Sequence, residues 1–251
     1  MKNILIYPAG STEACSYAAG ALQRRGFALT DHPTPDITHL LLDIPSFRPD
    51  GMLRGGQDLA DLLPMLSEQV IVVGGNLNHP SLAGYPKMDL LADPDYLSQN
   101  AAITADAAIR VAAPFLKTTF RDTPTLLLGW GRIGKCLVKL LRALDCPVTV
   151  AARNDADRAM LRALGYDATD FLSLTQDLSR FRLLFNTVPA AILNEQDLSD
   201  CRDCIKIELA SQSGLVGPDV VIARGLPGIH APLSSGKLIA DTFYRIWKER
   251  L

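Results

Sequence analysis

The sequence lacks the features that would place the chain in a membrane or on nucleic acid. No apolar run approaches the ~18 residues of a membrane-spanning helix. The formal net charge is only −2, with acidic and basic residues mixed along 251 residues. We therefore expect no membrane insertion and no binding to nucleic acid. The opening, MKNILIYPAG, has too few apolar residues before Pro8 for a signal-peptide core, which favours a first strand and a cytoplasmic protein.

Cysteine is scarce, with five residues scattered along the chain. An odd number of cysteines without an export signal predicts free thiols. Cys201 and Cys204 have the CxxC spacing of redox and zinc sites. Neither a redox βα context nor a second ligand pair accompanies them, so we interpret the pair as structural and predict no metal site.

Short apolar runs alternate with longer helical stretches, which predicts parallel α/β layers. In the first half we expect strands at 4–7, 39–44 and 70–75, a further short strand at 88–93, and helices at 11–25, 56–68 and 98–116. In the second half we expect strands at 125–129, 147–152, 183–188, 206–210 and 220–224, helices at 132–144 and 155–164, and a weaker strand and helix around 166–180. The Gly- and Pro-rich stretch 225–236 predicts a loop.

A polar break at 117–124, which ends in Pro124, predicts a domain boundary. We expect an N-terminal α/β domain with a linking helix over 1–118, a nucleotide-binding domain over 119–235, and a C-terminal helix over 236–251. The apolar residues of the tail fall on one helical face, so we expect this helix to pack back against the first domain.

Gly129, Gly131 and Gly134 form a G-x-G-x-x-G turn between a predicted strand and an amphipathic helix. In a βαβ unit these glycines allow a tight turn, close approach of the backbone to a pyrophosphate, and close packing of the helix on the strand. The helix N-terminus then offers N–H donors to the phosphates. We expect Ile133 to belong to this turn, whereas Arg132 reaches the pyrophosphate or is simply solvated.

Arg153 ends the second strand of this unit, where NAD-binding domains carry an acidic residue for the ribose 2′-hydroxyl. A guanidinium can instead bind a 2′-phosphate through two parallel hydrogen bonds. The sequence therefore favours NADP over NAD, with Asn154 and Arg158 as assisting residues.

Several segments resemble the A-subunit family of dipicolinate synthase, a sporulation enzyme that makes pyridine-2,6-dicarboxylate. They are 126–154, 183–194, 207–214 and 224–240, with a fainter match over 91–112. The G-L-P-G-x-x-A-P-x-x-x-G run at 225–236 is the most specific of these motifs. The resemblance implies two doubly wound parallel-sheet domains, the second a Rossmann domain, with the C-terminal helix returning to the first.

The same resemblance implies oxidation of a dihydro- or hydroxytetrahydro-dipicolinate ring with a nicotinamide cofactor, together with a flavoprotein-like second subunit. At the carboxyl edge of the second sheet, Thr187, Val188 and Pro189 are candidate cofactor contacts, and Ser211 and Gln212 are candidate substrate contacts. His230 in the Gly- and Pro-rich loop is a candidate acid or base. The alternatives for these residues are capped strand ends and a packed loop histidine.

In the first half, Ser11, Thr12 and Asn76 follow predicted strands and are candidate substrate contacts, with helix capping and turn formation as alternatives. Asn100 and Thr104 match family positions, and Asp106 stands where the family has a glutamate. Asp106 is a candidate proton acceptor or a first-turn carboxylate.

The chain departs from the family at two basic positions, which are Gln212 and Leu233 here, and at the N-terminal turn. Three hypotheses remain: an NADP-dependent oxidoreductase of this family, a non-catalytic NADP-binding subunit, and a reductase of another small imine or 2-oxo acid. A homo-oligomer is compatible with each.

Overall fold

A computed structural model describes residues 4–249, except the side chain of Gln176, as two compact α/β units. One unit runs through Asn100 and resumes at Pro227, and the other is Ala101–Leu226. Helix α3, Pro94–Ala112, contributes residues to both units. The domain limits expected at 118/119 and 235/236 stay a prediction.

The sheet of the first unit has five parallel strands in the order β2-β1-β3-β4-β5. They are β1 (Leu5–Pro8), β2 (Ala28–Leu29), β3 (His39–Leu41), β4 (Ile71–Gly74) and β5 (Lys87–Asp89). The chain leaves β1 toward one edge for β2 and then builds β3, β4 and β5 toward the other edge. The order reverses between β1 and β3, and open α/β sheets bind ligands at the carboxyl edge of such a point.

Helices α1 (Glu13–Arg24), α2 (Leu59–Leu62) and α8 (Pro232–Glu249) also belong to the first unit. The Thr12 side chain caps α1 by accepting from the Cys15 N–H, as hydroxyls do at helix starts. Helix α8 packs against α1, and the Phe27 ring lies 5.4 Å from Phe243 and 5.1 Å from Trp247 in edge-to-face contacts. The prediction that the C-terminal helix returns to the first half of the chain is therefore confirmed.

The sheet of the second unit has six parallel strands in the order β11-β10-β9-β6-β7-β8. They are β6 (Thr125–Leu128), β7 (Val148–Ala151), β8 (Asp167–Thr169), β9 (Leu183–Asn186), β10 (Ile205–Glu208) and β11 (Val220–Ile222). All residues of β6, β7 and β9 are buried, as expected for strands covered on both faces. The order reverses between β6 and β9, which is the arrangement of the doubly wound dinucleotide-binding fold.

Helices α4 (Arg132–Ala143), α5 (Asp155–Ala163) and α6 (Glu195–Ser199) complete the second unit, and α7 (Leu226–His230) begins at its end. Helix α4 buries Gly134, Leu137, Val138 and Leu141, the i, i+3, i+4, i+7 pattern of one helical face. This face packs in one apolar core with Leu127 and Phe185 from the sheet.

Three local predictions are wrong. The weaker helix expected around 166–180 is replaced by two 3-10 turns after β8, Leu174–Gln176 and Leu178–Arg180. The stretch 225–236 is not a loop, because α7 and the start of α8 occupy most of it. Its prolines stand in the first two helical positions, where a missing N–H costs nothing. The helix expected at 56–68 shrinks to α2 and a single 3-10 turn, Leu63–Met65, which contains Pro64. Strand β2 and helix α6 were not predicted.

Within the described residues, no helix combines the length and the apolar character that crossing a membrane requires.

Candidate functional site

The glycine turn after β6 is closely packed on one side. Gly129 has φ +102°, a conformation that favours glycine, and a Cβ there would overlap the Thr187 hydroxyl. A Cβ on Gly134 would overlap the Gly129 carbonyl oxygen, because α4 starts directly against the turn. The first and third glycines are therefore required by the fold of this unit.

Gly131 differs from its two neighbours because a Cβ there would meet nothing within 4 Å. It is the N-cap of α4 and supplies no side-chain hydrogen bond to the helix. The first intrahelical bond runs from the Lys135 N–H to the Gly131 carbonyl at 2.9 Å, so the N–H groups of Arg132, Ile133 and Gly134 have no intrahelical partner. The turn thus presents open space and free donors, the combination that binds a phosphate at a helix N-terminus.

The carboxyl end of β7 lies beside this turn. The Gly129 N–H donates to the Ala151 carbonyl at 2.9 Å, and Arg153 follows two residues later. The Arg153 side chain is exposed and makes no hydrogen bond or ion pair with any residue from 4 to 249. An unengaged guanidinium therefore lies next to the glycine turn, and its contact with a 2′-phosphate stays a prediction.

The two residues expected to assist Arg153 are engaged locally. The Arg158 guanidinium donates to the carbonyl oxygens of 152–153 at 2.6 and 2.7 Å and pairs with Asp155. Asn154 is the N-cap of α5, and its amide donates to the Asp157 carboxylate at 3.2 Å. Both side chains shape the turn that carries Arg153 rather than point a free donor at a ligand.

Thr187, Val188 and Pro189 follow β9 on the other side of the glycine turn. The Thr187 hydroxyl donates to the Leu128 carbonyl at 2.8 Å, so it locks the end of β9 to the end of β6. Thr187 and Val188 are half-buried, whereas Pro189 is exposed. Because the Thr187 hydroxyl is already bonded, the predicted contact of this segment with the cofactor depends on its backbone and on the Val188 and Pro189 side chains.

A buried polar pair supports the loops at this edge. The Asn186 amide donates to both carboxylate oxygens of Glu208 at 2.9 Å, and both residues are fully buried. The same carboxylate accepts from three backbone N–H groups, those of Ala210, Gly214 and Leu215, at 2.8 to 3.0 Å. A buried carboxylate is stable when it is hydrogen-bonded in this way. Glu208 therefore fixes the course of 209–215.

Ser211 and Gln212 project from this fixed loop and are both exposed. The loop returns through Gly214, where a Cβ would lie 2.5 Å from the Ala190 carbonyl oxygen and equally close to the Asn186 amide. The structure thus brings the loops after β6, β7, β9 and β10 to one edge of the sheet, and the predicted cofactor and substrate residues of this unit lie on them.

In the first unit, the hydrogen-bond donors of the candidate substrate contacts Ser11 and Thr12 are used by the protein itself. The N–H groups and hydroxyls of Ser11 and Thr12 all donate to the Asp43 carboxylate, with Ser11 N–H at 2.9 Å and Thr12 N–H at 3.1 Å. Asp43 is 3% exposed and lies two residues after the end of β3. These donors therefore serve an internal carboxylate at the point where the strand order reverses, and a contact of Ser11 or Thr12 with a substrate stays a prediction.

Asn76 has φ 60°, the left-handed turn conformation that asparagine tolerates. Its N–H and that of Leu77 donate to the Asp89 carboxylate at 3.1 and 2.8 Å. The Asn76 side chain is exposed, so its predicted contact with a substrate stays a prediction.

The remaining predicted residues lie on helices. Asp106 forms an i, i+4 ion pair with Arg110 at 2.7 Å on α3. On the same helix Asn100 is half-buried and Thr104 is buried. His230 is the last residue of α7 and is half-buried, rather than part of a loop. Their roles in catalysis and substrate binding stay predictions.

Sequence reasoning missed Asp43 and Glu208. A usable signal was present in both cases, since each carboxylate lies within a segment predicted as a strand, Asp43 in 39–44 and Glu208 in 206–210. A charged residue in that position is rarely buried unless it is paired. No group of three or more His, Cys, Asp or Glu side chains suited to a metal ion occurs among the residues that the structure describes.

The two sheets and the glycine turn define a dehydrogenase-like α/β fold of the NAD(P)-binding kind. The chain is 27% identical over 164 residues to the A subunit of dipicolinate synthase of Bacillus subtilis, a match that covers 62% of this chain and 55% of the relative. The match thus spans little more than half the length of that curated relative. No protein-family model matches the chain.

Solved structures agree on the fold. The A subunit of dipicolinate synthase from Bacillus halodurans superposes with a TM-score of 0.80 at 19% identity, covering 98% of both chains. Its Bacillus subtilis counterpart gives 0.79 at 19% identity, covering 99% of this chain and 97% of that one. A transhydrogenase from Sinorhizobium meliloti gives 0.70 at 12% identity, covering 98% and 94%. The resemblance to the dipicolinate synthase A-subunit family is confirmed by the sequence match, and the fold by the superpositions.

Proposed function

We propose that the chain is an NADP-dependent oxidoreductase similar to the A subunit of dipicolinate synthase. The observation that carries the proposal is the open space at Gly131, with three free N–H groups behind it and an unengaged Arg153 beside it. These groups fit a dinucleotide that carries an extra phosphate on its adenosine ribose. The N–H groups of α4 hold the pyrophosphate, and Arg153 holds the 2′-phosphate through charge-assisted hydrogen bonds.

The proposed reaction is the oxidation of a dihydro- or hydroxytetrahydro-dipicolinate ring to the aromatic product. Oxidation of the dihydro ring removes one hydride and one proton, and a bound nicotinamide supplies the hydride acceptor. The loop that Glu208 fixes presents Ser211 and Gln212 to the substrate. We assign the proton to His230, because an imidazole can act as an acid or base near neutral pH.

A dicarboxylate substrate requires a cation, and this chain lacks both basic positions of the family pattern. We assign that role to Arg54, whose exposed side chain has no hydrogen bond or ion pair within residues 4–249. Its loop follows β3, and a Cβ on Gly55 would lie 3.2 Å from the Ser11 Cβ. Arg54 is therefore close to the reversal point between β1 and β3, where ligands of open sheets bind.

The curated relative is one subunit of a larger enzyme, which supports a partner for this chain as well. We propose that this partner is flavoprotein-like and that the active enzyme is their complex, in a cytoplasmic setting.

A second candidate function, that of a non-catalytic NADP-binding subunit, is favoured by one observation. The donors of Ser11 and Thr12 are all used by Asp43 and are not free for a substrate. In that case the cofactor binds as proposed and no turnover follows.

The decisive experiment follows NADPH absorbance while the purified chain, with its partner, is given cyclic dicarboxylate imines. The first function predicts turnover by the wild type. In Arg54→Gln the KM should rise by about tenfold or more, because a charge-assisted contact with the substrate is lost, whereas the affinity for NADP should not change. The matched control is Arg48→Gln, since Arg48 is exposed in the same loop and pairs with Asp50. NADP binding without turnover on any substrate supports the second function instead.

A further inference from the structure

The CxxC pair, which the proposed function does not use, lies in a tight turn before β10. The Cys204 N–H donates to the Cys201 carbonyl at 3.1 Å, and such a turn brings the two Cα atoms within ~7 Å. A disulfide needs Cα atoms about 4.4–6.8 Å apart. Both thiols are buried, at 2% and 6% exposure, and each donates to a backbone carbonyl, Cys201 to Leu178 at 3.2 Å and Cys204 to Ile205 at 3.6 Å. The backbone therefore holds the two Cα atoms within the range that a disulfide spans, and the side chains need only rotate to meet.

A buried cation lies next to the pair. Lys206 is 3% exposed, and its ammonium donates to the Cys204 carbonyl at 3.1 Å. It forms no ion pair with a carboxylate anywhere in 4–249. A buried ammonium without an anion is unfavourable, so a thiolate at Cys201 would supply the missing countercharge.

The pKa values of the buried thiols are shifted in different directions. The neighbouring Cys204 thiol lowers the pKa of Cys201, with further help from the positive charges of Lys206 and Arg182. Burial and the Asp43 charge instead raise the pKa of Cys15 to about 12. Burial also raises the pKa of Cys146. Because the thiolate is the reactive form, Cys201 is the preferred nucleophile over these two buried thiols.

We propose that Cys201 and Cys204 form a reversible dithiol–disulfide site that reacts with hydroperoxides. The Cys201 thiolate attacks one peroxide oxygen, the O–O bond breaks, hydroxide leaves, and Cys201 becomes a sulfenic acid. The Cys204 sulfur then attacks the Cys201 sulfur, and the sulfenic oxygen leaves as water with the remaining proton. In total two thiols lose two electrons and two protons, and one hydrogen peroxide becomes two waters.

A cavity large enough for a small oxidant lies beside Lys206, and neither cysteine is among the residues that line it. The cavity has a volume of about 230 Å³ and is lined by Leu198, Arg202 and Lys206 among others. It reaches the Lys206 side chain, whose ammonium bonds directly to the Cys204 carbonyl. Hydrogen peroxide is little larger than water and fits such a space.

The site is separate from the proposed cofactor site. Cys204 precedes the amino end of β10, whereas the glycine turn follows the carboxyl end of β6, and these strands run parallel in one sheet. The two features therefore lie at opposite edges of the sheet. Oxidation is expected to leave NADP affinity unchanged, so a failure of this inference and a failure of the proposed function are distinguishable.

The test uses the native full chain carrying Cys136→Ser, which removes the half-buried thiol most open to intermolecular disulfides. The protein is treated with equimolar hydrogen peroxide, unfolded, alkylated with N-ethylmaleimide and digested. We expect linked peptides from Cys201 and Cys204 that have lost two hydrogens and are restored by dithiothreitol. Modification of this pair should be at least about tenfold faster than that of Cys15 or Cys146, which corresponds to one pKa unit or more.

Two single variants sharpen the result. Cys204→Ser should stop at the sulfenic or sulfinic acid of Cys201, and Cys201→Ser should leave Cys204 unmodified. The inference is overturned if the pair stays fully alkylatable after peroxide. It is equally overturned if the disulfide forms only when denaturant precedes the oxidant, or if Cys15 and Cys146 react first.

Discussion

Asn186 and Glu208 are directly opposite each other on neighbouring strands and form a fully buried amide–carboxylate pair. Each residue ends its strand, and each also bonds the loop that follows: the Asn186 oxygen accepts the Val188 N–H at 3.0 Å, and Glu208 accepts three N–H groups of 210–215. One pair thus fixes two of the loops at the edge where we place the cofactor.

Replacing this carboxylate should therefore destabilise the protein strongly. Glu208→Gln places an NH2 group against buried N–H donors, and we expect a loss of about 3 kcal/mol in the free energy of unfolding. Urea denaturation followed by circular dichroism measures it. Glu195→Gln is the matched control, because Glu195 is exposed in the same unit and should change stability by less than about 0.5 kcal/mol. Equal effects of the two substitutions would contradict the role assigned to Glu208.

Substitutions at two glycines of the turn should affect different properties, dinucleotide binding at Gly131 and stability at Gly134. Gly131→Ala meets open space, so its thermal stability should match that of the wild type, whereas its dinucleotide affinity should fall by about tenfold or more as the Cβ enters the phosphate position. Gly134→Ala should instead lower stability by about 2 kcal/mol or more because its Cβ overlaps the Gly129 carbonyl. Thermal denaturation and fluorescence titration with NADPH distinguish them. If Gly131→Ala binds the dinucleotide normally, the phosphate is not held where we place it.

A third prediction concerns pH and the C-terminal helix. Arg245 on α8 pairs with Asp93 at 2.7 Å, where Asp93 is 14% exposed and Arg245 is 37% exposed. Burial alone would raise the pKa of Asp93, but hydrogen bonds from Arg245 and the Tyr96 N–H outweigh it and hold the pKa below its usual value. Because the folded-state pKa is lowered, this contribution to stability is present above the unfolded value of about 3.9 and is lost as the pH falls through the folded value.

Arg245→Gln should therefore lower the free energy of unfolding by about 0.5–1 kcal/mol at pH 7, a value reduced by solvent around the half-exposed guanidinium. The difference from wild type should stay constant from about pH 8 to pH 5 and shrink below about pH 4. Arg24→Gln serves as the control, since Arg24 is exposed and has no ion pair among the described residues. If the difference in the free energy of unfolding grows toward acid pH instead, the pairing of Arg245 with the ionised Asp93 does not stabilise the fold.

The fold was predictable from the sequence where local patterns decide it. Apolar runs such as TLLL at 125–128 and VTVA at 148–151 are covered on both faces of a parallel sheet, and such burial leaves a continuous signal. The glycine turn was predictable for the same reason, because its spacing alone encodes a strand-to-helix connection. At 225–236 the Gly- and Pro-rich composition led to the wrong prediction of a loop, because prolines at helix starts cannot be told from prolines in loops by sequence alone.

Contacts between distant residues were not predictable. Ser11 and Thr12 were candidate substrate contacts with helix capping as the alternative, yet their donors bind the carboxylate of Asp43, more than thirty residues away and just past the end of the neighbouring strand β3. Arg158 looked as available as Arg153, but only the folded turn shows that its guanidinium is used by the backbone. Sequence thus indicates which chemistry is present, and tertiary structure decides which groups remain free for a ligand.

The central claim is that the second unit binds NADP through the glycine turn and Arg153, and its most direct test is a titration of the wild type and Arg153→Asp with NADP and with NAD. The wild type should bind NADP at least about tenfold tighter, since a charge-assisted contact is worth about 1.5–3 kcal/mol. Arg153→Asp should reverse that preference, while Arg162→Asp on the exposed face of α5 should keep it. Tighter binding of NAD by the wild type, or an unchanged preference in Arg153→Asp, would contradict the account.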